Sequence, residues 1–127
     1  MYSVLVVEDV GEILEPLLEL LALDARCRGV VEVHGARSGE EGLEKFFRFH
    51  PCLVLTDVRM PGISGFELAR RLRQVESAVR VVFTTGFAID TALRQEAAAA
   101  GVDSFFRKPY DPNRLIELVL SVRGNRP

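Results

Sequence analysis

Leu53-Val54-Leu55-Thr56-Asp57-Val58-Arg59-Met60-Pro61-Gly62 is the stretch whose reading decides the fold. A short apolar run containing β-branched Val54 and Thr56 ends in a carboxylate, and a Met-Pro-Gly turn follows. Such a run, bounded by turn residues, reads as a buried strand. Pro61-Gly62 forces the chain to turn, so Asp57 stands at a strand tip and not inside an element. In a parallel sheet the carboxyl ends of the strands are where ligands bind. Taken alone, an aspartate at a strand end is more often a turn or cap residue, so the other strand tips decide its meaning.

Working outward, the same alternation recurs. Residues 3–7 form an apolar strand pattern that stops at Glu8-Asp9. Ile13, Leu14, Leu17, Leu18 and Leu21 then mark one helical face. Pro16 sits within it, which predicts a late start or a kink. Residues 30–33 read as the second strand. Ser38 with Glu41 has capping-box spacing ahead of a helix whose apolar face is Leu43, Phe46 and Phe47. Beyond Asp57, Ser64 with Glu67 opens a third helix, with Leu68, Leu72 and Val75 in register. Residues 80–84 are a fourth strand, ended by Thr85-Gly86. Ile89, Leu93, Ala97 and Ala100 mark a fourth helix that Gly101 closes. A short strand at 104–107 ends in Lys108-Pro109. Asp111 caps a last helix with Pro112 at its first position. Residues 123–127 read as a loose tail or the start of a linker, and residues 1–122 as one domain.

Strand and helix alternate five times. That order predicts an α/β fold: a single doubly wound, five-stranded parallel sheet with helices on both faces. The flavodoxin-like strand order 2-1-3-4-5 suits it, with binding at the switch point between strands 1 and 3. The chain has 127 residues, 48% of them apolar, long enough for a core without metal or disulfide staples. A net charge of -2 argues against a general nucleic-acid or membrane surface. No run of about eighteen apolar residues offers a membrane span, and no basic segment precedes the first strand. Cys27 and Cys52 have no metal-like spacing and read as free thiols in a cytoplasmic protein. His34 and His50 read as structural or exposed. Of 16 basic residues only Lys45 and Lys108 are lysine, a hint that lysine stands where arginine's rigid fork does not serve.

In the expected sheet order, strands 1, 3, 4 and 5 are neighbours, and their tips carry Glu8-Asp9, Asp57, Thr85 and Lys108. Two unit charges at 4 Å interact by about 4 kcal/mol at an effective dielectric near 20, so three clustered carboxylates call for a cation. Carboxylates with water suit Mg²⁺. Asp57 can attack phosphorus to give an acyl phosphate. Thr85 can donate to a phosphoryl oxygen, and Lys108 can neutralise one.

Val6-Val7-Glu8-Asp9, Leu55 to Gly62, Phe83-Thr84-Thr85-Gly86 and Phe105-Phe106-Arg107-Lys108-Pro109 together resemble the motifs of two-component response-regulator receiver domains, of the chemotaxis-receiver-like superfamily. The resemblance covers about residues 3–122. It implies a phosphorylation-dependent signalling switch in which Asp57 accepts a phosphoryl group from a sensor histidine kinase or a histidine phosphotransfer protein. It implies that Glu8, Asp9, Asp57 and the Arg59 backbone carbonyl hold Mg²⁺, and that Thr85 and Lys108 grip the phosphoryl oxygens. Thr85 and Phe105 are the implied switch pair. Because Phe105 lacks a hydroxyl, its inward state should populate easily. The face of helix 4, strand 5 and helix 5 is the implied output and dimer surface. No direct nucleic-acid binding and no membrane association are expected. Such a protein is not an enzyme beyond assisting its own phosphorylation and dephosphorylation. It is either a stand-alone receiver or the N-terminal receiver of a longer regulator.

The Arg59 side chain is not explained by the motif. It stands where it can pair with Glu8 or Asp9 or shield the phosphoryl group, and Phe87 can limit the approach of water. The alternative function is a Mg²⁺-dependent phosphohydrolase that forms an aspartyl phosphate. That chemistry wants an acid two residues after the nucleophile, where this chain has Arg59. Flavin or nucleotide binding on the same fold is opposed by the acidic first loop.

Overall fold

The computed structural model describes residues 1–102 and 104–122. The reading of residues 123–127 as a tail or linker lies outside the described residues. Ten elements alternate as β1 (Tyr2–Val7), α1 (Gly11–Leu23), β2 (Val31–Ala36), α2 (Gly39–Phe49), β3 (Leu53–Asp57), α3 (Gly65–Val75), β4 (Arg80–Thr85), α4 (Thr91–Ala99), β5 (Ser104–Arg107) and α5 (Pro112–Ser121). The strands pair in parallel in the order β2-β1-β3-β4-β5, as expected.

Alternating side chains of the central strands feed two cores. Val4, Val6, Leu53, Leu55 and Val82 pack with Leu14, Leu17 and Leu21 of α1 and Leu115, Ile116 and Val119 of α5. Leu5, Val7, Val54, Val81 and Phe83 face the other way, against Phe46 of α2, Leu68 and Leu72 of α3 and Ala97 of α4. Burial on both faces is why β1, β3 and β4 read as continuous apolar runs and not as alternating ones. The edge strands β2 and β5 are only half-buried over most of their length.

Most caps form as the sequence requires. The Ser38 hydroxyl accepts from Glu41 N–H at 3.0 Å, and the Ser64 hydroxyl accepts from Glu67 N–H at 3.2 Å. Asp90 caps α4 and Asp111 caps α5. Gly101 follows α4 at φ +81°, a left-handed conformation that glycine adopts without steric penalty.

Several expectations are corrected. α1 begins at Gly11 and runs through Pro16, with no late start. The lost hydrogen bond would have gone to the Glu12 carbonyl, and both residues are on the exposed side, where water replaces it. β2 starts one residue later and extends to Ala36, because its pairing with β1 continues to the Val7–Ala36 partnership. Phe47 and Val75 are each 52% exposed and not part of their helices' buried faces. Phe47 follows Phe46 by one helical step of about 100°, which turns it off the stripe. Val75 is the last residue of α3, whose buried residues end at Leu72.

The loop after β3 is held by close backbone packing at Gly65. Its N–H donates to the Val58 carbonyl at 2.9 Å. A Cβ there would lie 2.2 Å from the Asp57 carbonyl oxygen. Gly65→Ala is therefore expected to destabilise the protein by at least about 1–3 kcal/mol in urea denaturation. Gly86→Ala, with nothing within 4 Å of the added Cβ, should stay within about 0.5 kcal/mol of wild type. Equal midpoints for the two variants would contradict this packing.

Candidate phosphoacceptor and cation site

Strand register brings the tips level. Val7 pairs with Thr56, Asp57 with Thr84, and Thr85 with Arg107. One further hydrogen bond, Lys108 N–H to the Thr85 carbonyl at 2.8 Å, carries the β4–β5 ladder to the lysine. The groups expected at the site thus meet at one edge.

Glu8 is 1% exposed, which is unusual for a carboxylate. Its Oε1 lies 2.5 Å from Lys108 Nζ, and its Oε2 accepts from Val10 N–H at 3.3 Å. The same ammonium donates to Asp57 Oδ2 at 3.1 Å. Lys108 therefore bridges the two acids. Burial pushes the Glu8 carboxyl above its ordinary value, and the Asp57 charge adds to this, against the opposing pull of Lys108. Burial by itself would lower the Lys108 ammonium, but its bonds to Glu8 and Asp57 outweigh it and hold Lys108 above its ordinary value. Glu8, half-buried Asp9 and Asp57 can each present one oxygen with all three within 4.8 Å of one another. An all-oxygen, acidic donor set of this kind fits a hard divalent cation such as Mg²⁺.

Thr85 is buried, and its hydroxyl accepts from Phe87 N–H at 3.0 Å, which leaves its own proton free to donate. The Thr56 hydroxyl donates to the Asp57 carbonyl at 3.0 Å. Phe105 is half-buried, its ring 6.2 Å from that of Phe83, with the Arg94 guanidinium 5.4 Å from its centroid.

Arg59 does not pair with Glu8 or Asp9. Among the described residues it forms no ion pair, and its guanidinium lies 5.9 Å from the ring centroid of Phe87, which is 68% exposed. Lys108 is the cation that pairs with Glu8 and Asp57. Arg59, Phe87 and Thr85 line one wall of an open cleft of about 610 Å³ that extends along α4 to Glu96.

Two residues near the site were not legible as such. Tyr110 is pushed above its ordinary value by burial, with a hydrogen bond to Thr84 in opposition. Arg37, just beyond β2, donates from Nη2 to the Asp9 carbonyl at 3.4 Å. The sequence pattern ends the second strand at residue 33, so nothing in the sequence marks Arg37 as standing just past its tip. The Cys27 thiol is buried, and Cys52 Sγ lies 3.7 Å from the Ser3 carbonyl. His34 stacks on Phe49 at 3.6 Å, and His50 caps α2 in a left-handed conformation.

Comparison with known proteins agrees with this geometry. A family model described as the response regulator receiver domain matches residues 4–120. The chemotaxis protein CheY of Thermotoga maritima is 26% identical over 94% of this chain and 95% of its own. The response regulator protein PilR of Pseudomonas aeruginosa is 36% identical over 87% of this chain, but over only 23% of its own length. The chain spans between about a quarter and a half of the first curated relatives it matches, T. maritima CheY excepted. Among solved structures, a CheY-like receiver domain from Methanospirillum hungatei superposes with a TM-score of 0.83 at 26% identity, covering 95% of this chain and 92% of that one. The receiver domain of the putative regulator NarL from Mycobacterium tuberculosis gives 0.84 at 27% identity, covering 98% of each.

Because Lys108 compensates a buried carboxylate, Lys108→Met should cost more stability in the wild-type background than in Glu8→Gln. The expected coupling is about 0.5–3 kcal/mol without divalent cations. Its pH dependence follows from the raised Lys108 value. The contribution is complete up to pH 10.5, the ordinary lysine value, as long as Glu8 is ionised; it is lost as pH rises through the elevated Lys108 value, and lost again in acid as Glu8, itself held above its ordinary value, protonates. Additive single-variant effects in urea denaturation would refute the bridge.

Proposed function

The chain belongs to the response-regulator receiver-domain family, and from that premise we propose that it is a signalling switch set by phosphorylation of Asp57. The observation that carries this reading is the placement of the Asp57 carboxylate beside the Glu8–Asp9 pair with Lys108 3.1 Å away. A carboxylate so placed has a cation site on one side and a fixed ammonium on the other, as phosphoryl transfer needs.

An Asp57 carboxylate oxygen bonds to phosphorus while the P–N bond of a donor phosphohistidine breaks, and the imidazole leaves with the bonding pair. Glu8, Asp9, Asp57 and the Arg59 carbonyl would hold Mg²⁺, which when bound would supply positive charge to the phosphoryl oxygens. Lys108 turns from Asp57 to one of those oxygens, and the Thr85 hydroxyl donates to another. The donor is a sensor histidine kinase or a histidine phosphotransfer protein.

Output follows from the charge that phosphorylation adds. Thr85 leaves the Phe87 amide for the phosphoryl group, and Phe105 packs into the space behind it. The surface that changes is formed by α4, β5 and α5, through which the chain engages its output partner or a second copy. The light anchoring of α4 supports this: Ala97 is its fully buried side chain, with Leu93 partly buried. No helix among the described residues is long and apolar enough to cross a membrane, which accords with a cytoplasmic place. A phosphohydrolase is disfavoured because Arg59, which cannot donate a proton to a leaving group, stands two residues after Asp57 and over Phe87.

Incubation with acetyl phosphate and Mg²⁺ should add one phosphoryl group by intact mass, and a chelator should prevent it. Asp57→Asn should take up none. Labelling of that variant, or steady turnover of a generic phosphate ester by wild type, would overturn the reading.

Arg59 and Phe87 flank the mouth through which water reaches the acyl phosphate. Arg59→Ala should shorten its half-life several-fold in a single-turnover dephosphorylation assay. An unchanged rate would remove the shielding role.

A further inference from the structure

β2 is the strand whose end contributes no reactive group, yet the residue after it reaches the acidic loop. Glu8 N–H donates to the Ala36 carbonyl at 2.9 Å, which lays the loop after β1 alongside the end of β2. Arg37 comes next. Its own N–H donates to Glu41 Oε1 at 2.6 Å. The Glu41 carboxylate thus reaches one residue behind the cap, past Ser38, and anchors Arg37 to the first turn of α2. From that anchor Nη2 donates to the Asp9 carbonyl, and the guanidinium carbon lies 3.3 Å from where a Cβ on Gly11 would stand. A single side chain therefore covers the backbone on both sides of Val10.

This placement is costly in one respect. Val10 caps α1 without a side-chain hydrogen bond, and positive charge at a helix N-terminus is unfavourable. Among the described residues Arg37 forms no ion pair with Glu8 or Asp9 that would offset it. What the contact provides is a hold on the main chain of residues 9–11. Gly11 permits that hold, because a side chain there would press on the guanidinium.

We propose that Arg37 is a positioning residue for the divalent-cation site, fixing the backbone of the loop that carries Glu8 and Asp9. The inference rests on the reading of Glu8, Asp9 and Asp57 as that site. The physical reason is repulsion and order. Adjacent carboxylates push a free loop apart, and each ligand that must be ordered when the cation arrives weakens binding. A loop pinned to β2 by Ala36 and Arg37 meets the cation already arranged. Partners that orient metal ligands typically contribute about 10- to 100-fold to affinity. Arg37 acts on the backbone and not on a ligand side chain, so the low end applies.

A charge effect of Arg37 has the opposite sign. A guanidinium near the carboxylates competes with Mg²⁺, so deleting it would tighten binding if charge were its only role. Calorimetric titration of the full chain with Mg²⁺, at a temperature where every variant is folded, separates the two. Arg37→Ala should raise the Mg²⁺ Kd about tenfold, and Arg37→Lys, which keeps a long donor and the charge, should recover most of the loss. A purely structural role would lower metal-free stability and leave the Kd unchanged. Equal or tighter Mg²⁺ binding by Arg37→Ala would overturn the inference while leaving the site intact. No Mg²⁺ binding by wild type would remove the cation reading itself, and this inference with it.

Discussion

Glu8 is a carboxylate held at 1% exposure within reach of two more acids, and Lys108 is what makes that burial tolerable. An unpaired ion there would be strongly disfavoured. The lysine is delivered from the far end of the chain, 100 residues away, so the acids can sit together only once the whole sheet has formed. The site is accordingly a product of the complete fold. A bridged pair is also easily rearranged. The flexible ammonium stem that joins Glu8 to Asp57 can follow a new charge on Asp57, which a rigid guanidinium does less readily.

The sheet supplies the precision. Parallel register sets Asp57 opposite Thr84 and Thr85 opposite Arg107, with little freedom because a one-residue slip would reverse every buried side chain. Two cores, one per face, enforce that register. The loops at the tips are then pinned individually: the β3–α3 loop by the backbone approach at Gly65, the β1–α1 loop by Ala36 and Arg37. The wall along α4 is held more lightly, through Ala97 and Leu93, with exposed Phe87 and Arg59 at its mouth. Firm strands and pinned acidic loops beside a lightly held helix suit the proposed switch, in which a change of charge at Asp57 would be read out as movement.

Much of this was legible in the residues because the signals are local or periodic. Apolar runs ended by Glu8-Asp9, Asp57, Thr85 and Lys108 identify the strands and the edge they share. Ser38, Ser64 and Asp111 mark helix starts through short-range capping chemistry that operates as read. Local signals failed where three-dimensional context competed with them. Pro16 lies within α1 because its face is solvated. Phe47 and Val75 are apolar yet exposed because burial depends on what lies opposite a helix face, not on residue type alone.

The sequence by itself determined the order of elements, the parallel sheet and the set of groups at its carboxyl edge, because periodicity, turn chemistry and strand-end residues are properties of neighbours along the chain. Only the tertiary structure decided how those groups are partnered. Lys108 bridges Glu8 and Asp57, Arg59 turns to Phe87 instead of the acids, and Arg37 reaches across from β2 to Asp9. Each of these contacts joins residues at least 28 apart, and electrostatic partnership at a site depends on distance in space, which spacing along the chain does not encode.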